Sequence, residues 1–164
     1  MDTLELIKSR RSIRKFSKKI IPPRTVGKIL EAGRWAPSGL NNQPWRFAVL
    51  EGEDKDALAA YTKYSYIIKG ADRVILVFLD KTASYHYEKD FMAIGASIQN
   101  MLLYLHSQKL GACWLGEIIN KSKEIAAHFR FPARYIFTAV LAMGYPKKYP
   151  RKSPRIKLKN LIIY

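Results

Sequence analysis

The sequence predicts an α+β fold in which helices and strands are mixed within a single domain covering residues 1–164. Segments with a helical spacing of apolar residues are interspersed along the chain with short β-rich runs. No internal repeat, low-complexity tract or linker interrupts this pattern, and 164 residues are enough to bury a sizeable core. We therefore expect one packed domain.

Helical segments are predicted from apolar spacing and from residues that begin or end helices. The strongest is 87–111, where six apolar side chains recur at intervals of three and four and Gly111 follows the end. Within it, the small residues 95–97 would let another helix approach closely. A second helix begins at Pro23, which suits the first helical position, and is ended by the stretch 37–39. The segments predicted to contain helices are 3–8, 22–39, 55–71, 87–111 and 121–131.

Four short runs are rich in β-branched and aromatic residues and are predicted as strands. The run 73–80 is apolar along almost its whole length, which is typical of a central strand with both faces covered. The run 113–118 is predicted as a strand followed by a turn. The tail 146–164 is punctuated by prolines and is basic before it ends in the apolar sequence LIIY. The predicted strands lie within 45–51, 73–80, 113–118 and 135–145.

The charge of the chain is strongly positive and unevenly distributed. The formal net charge is +16, with nine basic and no acidic residues from Lys8 to Lys28. From Lys147 to Lys159 there are seven more basic residues, again without an acidic one. A basic run taken alone is usually a solvated face, but two such blocks suggest an anionic partner. Nucleic acid, an acidic surface and a phosphate-bearing small molecule all remain open on this evidence.

Several classes of chemistry are absent from the sequence. Neither common glycine-rich phosphate loop is present, and the three histidines lack the spacing of metal ligands, so we expect no metal site. The only cysteine, Cys113, is expected to be a buried thiol rather than a nucleophile. The chain shows neither an apolar run long enough to span a bilayer nor a signal peptide, so we expect a cytoplasmic protein without membrane contact. An enzyme built from this chain would take its reactive atoms from a cofactor.

Four stretches remain as candidates for binding. The sequence RRSIRKF at 10–16 places three arginines and a lysine around one serine. The stretch 36–47 breaks a helix and supplies three amides, which suit the edge of a heterocycle or sugar hydroxyls but are equally compatible with a plain loop. Gly116 would allow a ligand to approach the backbone closely. The fourth stretch is the basic tail.

Together, in this order, these stretches resemble the nitroreductase family of FMN-dependent oxidoreductases. The resemblance covers essentially the whole chain, from the RxSxR stretch through APSGLNNQPW and the small-residue helix to GYP and the basic tail. It implies a central, mostly antiparallel sheet flanked by helices. It also implies a homodimer with FMN at the subunit interface, two FMN per dimer, and a domain-swapped C-terminal tail, 146–164, that wraps the partner and adds a strand to its sheet.

The resemblance also assigns roles to individual residues. Near the FMN phosphate and ribityl chain it places Arg10, Arg11, Ser12, Lys152 and Arg155. At the N1/O2 edge of the ring it places Arg14, and against the ring Trp114 and Leu115. Around flavin N5 it places Gly116 and Glu117, acting through backbone N–H groups, with no obligatory catalytic side chain. From the other subunit it brings Pro37, Ser38, Gly39 and Asn41. Ile13 and Phe16 are expected to face the core.

The implied activity is the reduction of nitroaromatic, quinone or similar acceptors by NAD(P)H, in a ping-pong reaction at one open face of FMN. The alternatives are reductive dehalogenation or flavin fragmentation on the same fold and, outside enzymes, a basic protein that binds nucleic acid. An amide and a lysine that longer members place near the pyrimidine ring have no clear match here, and Tyr64 or Lys69 could substitute. Tyr85 and Tyr87 could flank the pocket or lie in an exposed loop.

Overall fold

The computed structural model describes residues 2–150 and 153–164, which form helices packed on both faces of one sheet. The helices are α1 (Thr3–Ser9), α2 (Pro23–Arg34), α3 (Gly52–Leu58), α4 (Ser65–Gly70), α5 (Tyr87–Ser107) and α6 (Ser122–His128). The strands are β1 (Trp45–Leu50), β2 (Arg73–Asp80), β3 (Gly111–Leu115) and β4 (Tyr135–Gly144). Short 3₁₀ turns lie at Gly39–Asn41, Ala59–Tyr61, Glu117–Lys121 and Leu158–Asn160.

The four strands of the described residues pair in the order β1-β2-β4-β3, and every pair is antiparallel. This confirms the predicted α+β class with an antiparallel sheet flanked by helices. The continuous apolar run of β2 is explained by its central position, because alternate side chains enter different cores. Ile75, Val77 and Leu79 join the cluster that contains the buried residues of α2 and α5. On the opposite face, the other apolar side chains of β2 join a cluster with residues of α3, α4 and α6.

The segment 55–71, predicted to be helical, contains helix at both ends but is broken in the middle. Helix α3 ends at Leu58, a 3₁₀ turn follows, and Thr62 is extended before α4 begins at Ser65. The backbone N–H of Tyr64 donates to the Thr62 hydroxyl at 3.1 Å. A threonine side chain that bonds nearby backbone groups competes with helical hydrogen bonding, which accounts for the break.

The basic segment 10–16 is laid against the edge of the sheet. The N–H of Ile13 donates to the carbonyl of Ala112 in β3 at 2.9 Å, and the side chains of Ile13 and Phe16 are buried. Any side chain at Gly111 would collide with Ile13, and one at Gly144 would press on Phe16. The expectation that these two apolar residues face the core is therefore confirmed. Their anchoring holds the polar residues of the segment in place.

The segment also pairs with the beginning of the C-terminal tail. The N–H of Ser17 donates to the carbonyl of Tyr145 at 2.8 Å, and that of Lys147 donates to the carbonyl of Lys15 at 2.9 Å. The two basic blocks of the sequence thus lie side by side. Among residues 2–150 and 153–164, none of the helices has the length and apolar character required to cross a membrane.

Candidate cofactor site

Side chains of the basic segment form one wall of a surface pocket beside β3. Because Ile13 points into the core, the alternation of an extended chain turns Ser12 and Arg14 outward. The opposite wall is the start of the tail, which the backbone pairing described above holds close. The pocket has a volume of about 320 Å³ and is lined by Ser12, Arg14, Lys15, Lys148, Tyr149 and Pro150.

Arginines from both ends of the chain converge next to this pocket. The pKa of Arg10 is lowered, first by its burial and then by the positive charges of Arg11 and Arg155. Burial contributes most to this shift, and the neighbouring positive charges add a repulsion that an anion among them would relieve. The structure therefore places Arg155 near enough to Arg10 for their charges to interact. Lys152, the other tail residue assigned to the phosphate, lies outside the described residues.

Arg11 plays a second role that the sequence did not indicate. Its Nη1 donates to the carbonyls of Lys8 and Arg10, at 2.6 and 2.7 Å. These contacts tie the guanidinium to the C-terminal end of α1, where helical carbonyls lack partners. Arg10 is consequently the freer of the two neighbouring arginines to meet a ligand.

The pKa values of two neighbouring side chains reflect the positive charge of residues 10–14. The pKa of His106, whose Nε2 lies 2.8 Å from the Ser9 hydroxyl oxygen, is lowered by burial and by Arg10 and Arg11. Burial raises the pKa of the Cys113 thiol, partly opposed by the charge of Arg14, which places that cation near β3. Cys113 is buried, as expected from the sequence.

The end of β3 supplies an exposed aromatic ring and open space. The side chain of Trp114 is 45% exposed, whereas that of Leu115 is 5% exposed and packs in the core, so only the backbone of Leu115 can face a ligand. A Cβ at Gly116 would meet no atom within 4 Å, and the φ of −97° is one that any residue adopts. Neither strain nor crowding within the described chain therefore requires glycine at this position. The space above it is room for another molecule.

Glu117 is held by a residue that the sequence did not point to. Its Oε2 accepts a hydrogen bond from the Thr62 hydroxyl at 2.7 Å. Thr62 is the extended residue at which the predicted helix is broken. A threonine competes with helical hydrogen bonding, and its place within a segment of helical spacing is the signal that could have suggested a special role. Of the two residues proposed to substitute for the missing amide and lysine, Tyr64 donates its N–H to Thr62, and Lys69 is exposed near the end of α4.

The loop between α2 and β1 has a costly backbone conformation. Leu40, Asn41 and Gln43 have φ values of 54°, 53° and 47°, in the left-handed region that non-glycine residues rarely adopt. The hydroxyl of Ser38 accepts the N–H of Gln43 at 3.0 Å and closes the turn, while Leu40 is 86% exposed. Strain of this kind persists where a particular loop shape is needed. Pro37 is exposed, and Ser38 and Gly39 are half-buried.

The structure does not bring this loop to the pocket of the same chain. The loop leads into Trp45 of β1, which pairs with Leu79 at one end of the sheet. Ser12 bridges to Ala112 on the opposite edge and towards the other end. Three strand spacings, about 14 Å, separate the two edges. Residues 37–41 and residues 10–14 thus lie at diagonally opposite corners of the sheet in one chain. Two subunits could bring the loop of one chain to the pocket of the other.

The chain is similar to known proteins along most of its length. The model of the nitroreductase family matches residues 7–65 and 53–145. A relative from Methanothermobacter thermautotrophicus, provisionally named NADH dehydrogenase/NAD(P)H nitroreductase, is 34% identical over 155 residues, covering 92% of this chain and 80% of the relative. An iodotyrosine deiodinase from Thermotoga neapolitana is 28% identical over 177 residues, covering 90% of this chain and 92% of that protein.

A solved structure matches the whole fold. It is a provisionally named nitroreductase from Desulfovibrio desulfuricans in complex with FMN, with a TM-score of 0.96 and 45% identity, covering 100% of this chain and 97% of the other. The family model accounts for most of the chain, and the M. thermautotrophicus relative matches it at more than 30% identity over most of its length. The chain belongs to the nitroreductase family.

Proposed function

We propose that the protein is an FMN-dependent NAD(P)H oxidoreductase that reduces nitroaromatic, quinone or similar acceptors. The observation that carries the proposal is the pocket lined by Ser12 and Arg14, with Arg10 on the same segment and the charge of Arg155 near enough to contribute to lowering the pKa of Arg10. Family membership supports it, as does the D. desulfuricans structure, which is a complex with FMN. The M. thermautotrophicus relative, by its name, uses NADH or NAD(P)H.

The chemistry of the described residues fits each part of FMN. A phosphate dianion suits crowded guanidinium groups, because their forked donors match its oxygens and its charge relieves their repulsion. The Ser12 hydroxyl suits the ribityl chain. A flat ring system suits the open space above Gly116 and the exposed indole of Trp114. Lys152 and Arg11 remain proposed phosphate contacts.

When bound, FMN supplies the redox chemistry, accepting a hydride from NAD(P)H and delivering electrons to the acceptor. The chain contributes position and electrostatics. Arg14 would place a fixed cation that favours negative charge on the ring, and the backbone N–H groups of Gly116 and Glu117 would face the reactive nitrogen. No side chain is required as an acid or base. Donor and acceptor would use the same open face in turn, which gives ping-pong kinetics.

The site is proposed to form in a homodimer. Gly95 lies in the middle of α5, where glycine is unfavourable, and a Cβ there would meet nothing within 4 Å of the described chain. A close-packed partner helix would explain it. The tail ends in exposed apolar residues, with Ile163 87% exposed, and the outer edge of β1 has no partner strand among the described residues. We propose that residues 146–164 wrap the partner and add a strand at this edge.

Titration with FMN tests the proposal directly. Micromolar protein should quench FMN fluorescence to a stoichiometry of one per chain, and the sedimentation of the loaded protein should be that of a dimer. Absence of quenching at micromolar concentrations would overturn the cofactor assignment. A flavin-loaded monomer would overturn the shared site. The cytoplasmic location predicted from the sequence stays a prediction.

A second candidate on the same site is reductive dehalogenation. It is favoured by the similarity to the iodotyrosine deiodinase from T. neapolitana. Incubation of the loaded protein with NADPH and either a nitrobenzoate or an iodinated tyrosine separates the two activities. We expect faster consumption of NADPH with the nitrobenzoate. Stoichiometric release of iodide at a higher rate would instead favour the second candidate.

A further inference from the structure

Asp90, in the first turns of α5, is a buried carboxylate held only by neutral hydrogen-bond donors. It is 0% exposed, and no described lysine or arginine forms an ion pair with it. Its oxygens accept hydrogen bonds from Ser84 Oγ at 2.6 Å, the Tyr85 N–H at 3.1 Å, the His86 N–H at 3.2 Å and Asn42 Nδ2 at 2.7 Å. Burial alone would raise the pKa of Asp90, but these bonds lower it, so the group is ionised at neutral pH.

The two oxygens of Asp90 serve two different segments of the chain. Oδ2 accepts all three bonds from residues 84–86, whereas Oδ1 accepts only the bond from Asn42. The same Asn42 amide also donates to the carbonyl of Ala83 at 2.9 Å. Asn42 lies between two left-handed residues of the strained loop before β1. One carboxylate therefore links this loop to the segment that precedes α5.

The link fixes a contact between the two segments. A side chain at Gly39 would overlap the hydroxyl and ring of Tyr85, so the tyrosine lies directly on the glycine backbone. The ammonium of Lys89 lies 5.5 Å from the centre of the Tyr85 ring on the helix side. Residues 84–88 also border a surface pocket of about 390 Å³. Tyr85 is thus held between the loop and α5.

We propose that Asp90 is a positioning residue that holds Tyr85 as a fixed wall of the acceptor pocket, so that the enzyme selects small planar acceptors. This rests on the proposed function, in which residues 37–41 flank the flavin of the other subunit. A segment tied by three bonds to one buried carboxylate is a rigid boundary rather than a mobile lid. Loosening it would widen the pocket and admit bulkier acceptors.

Asp90→Asn separates the two halves of the link. An asparagine carries no charge, so its single acceptor oxygen binds residues 84–86 more weakly than the carboxylate does, and its amide N–H groups then face the amide donors of Asn42. The reverse orientation leaves the three donors unpaired. Asp80→Asn is the matched control. Asp80 is also a buried carboxylate, but it accepts bonds from Thr82 and pairs with Arg46, without touching residues 84–86.

Amide exchange followed by NMR in the flavin-free protein tests the positioning role without using activity. The N–H groups of Tyr85 and His86 should exchange at least about tenfold faster in Asp90→Asn and at the native rate in Asp80→Asn. Ser84→Ala removes a single donor, and should fold even if Asp90→Asn does not. It should accelerate the exchange of Tyr85 about threefold. If Asp90→Asn folds, native exchange rates in that variant would overturn the proposal. If it does not fold, native exchange rates in Ser84→Ala would overturn it.

Steady-state kinetics of the FMN-loaded variants test the role in specificity. The ratio of kcat/KM for 2-methyl-1,4-naphthoquinone to that for 1,4-benzoquinone should rise at least about fivefold in Asp90→Asn and stay native in Asp80→Asn. Because kcat/KM for an acceptor in a ping-pong reaction reports only the oxidative half-reaction, this ratio is independent of any change in flavin reduction by NADPH. An unaltered ratio despite faster amide exchange would overturn the assignment of Tyr85 as a wall. If no variant or native protein binds FMN, the proposed function fails, while the exchange experiment still decides whether Asp90 positions Tyr85.

Discussion

Arg10→Ala should weaken the binding of FMN and leave that of riboflavin nearly unchanged. Arg10 is partly buried and crowded by Arg11 and Arg155, so a phosphate at this point gains charge-assisted bonds in a partly desolvated setting. A hydrogen bond to a charged group contributes about 1.5–3 kcal/mol, which corresponds to a loss of about 10- to 150-fold in FMN affinity. Riboflavin lacks the phosphate, and its affinity should change by less than about twofold.

The same substitution should not destabilise the flavin-free protein. Removing one of three mutually repelling cations relieves an unfavourable interaction, so the free energy of unfolding should stay within about 0.5 kcal/mol of native or rise. Fluorescence titration with both flavins and urea denaturation without flavin provide the two measurements. Arg24→Ala, which removes an exposed arginine of α2, is the control for net charge. Equal weakening of FMN and riboflavin would show that Arg10 supports the fold rather than the phosphate.

Four further outcomes follow from the geometry. Gly116→Val should weaken FMN binding at least about tenfold while leaving the flavin-free protein as stable as native, because its Cβ enters open space; a fluorescence titration and urea denaturation check this. Glu117→Gln should slow flavin reduction in stopped flow less than about threefold, since its amide oxygen still accepts from Thr62. Gly95→Arg should give a folded monomer by sedimentation, and a persistent dimer would place the interface elsewhere. The stability conferred by Asp90 requires its ionised form, and its folded pKa is lowered. In urea denaturation the advantage of native protein over Asp90→Asn should therefore be full above about pH 4 and shrink as the pH falls further.

The regular elements of the fold were accessible from the sequence because burial imposes simple periods on it. The central strand 73–80 shows the continuous apolar run of a strand with both faces covered, and the long helix α5 shows helical spacing; both were predicted close to their observed bounds. The break at Thr62 was missed because one hydroxyl decides it. Local apolar spacing favours a helix there, and the competing bond to Tyr64 has no periodic signature.

The candidate site was predictable only where residues act through a motif. The outward placement of Ser12 and Arg14 follows from the alternation of an extended segment whose neighbour Ile13 is apolar. The bond between Asn42 and Asp90 joins residues that are distant in the chain, and neither residue type carries information about the other. Contacts of this kind depend on how the elements pack, and the local patterns of a single sequence do not reveal that packing.

The diagonal separation of residues 10–14 from residues 37–41 has a genetic consequence. In the proposed symmetric dimer each flavin would draw its phosphate residues from one chain and its flanking loop from the other. A chain defective only in the first set and a chain defective only in the second would each form inactive homodimers. In the mixed dimer, one site inherits both defects and the other inherits neither. Two such inactive alleles expressed in the same cell should therefore restore activity, because each mixed dimer contains one intact site.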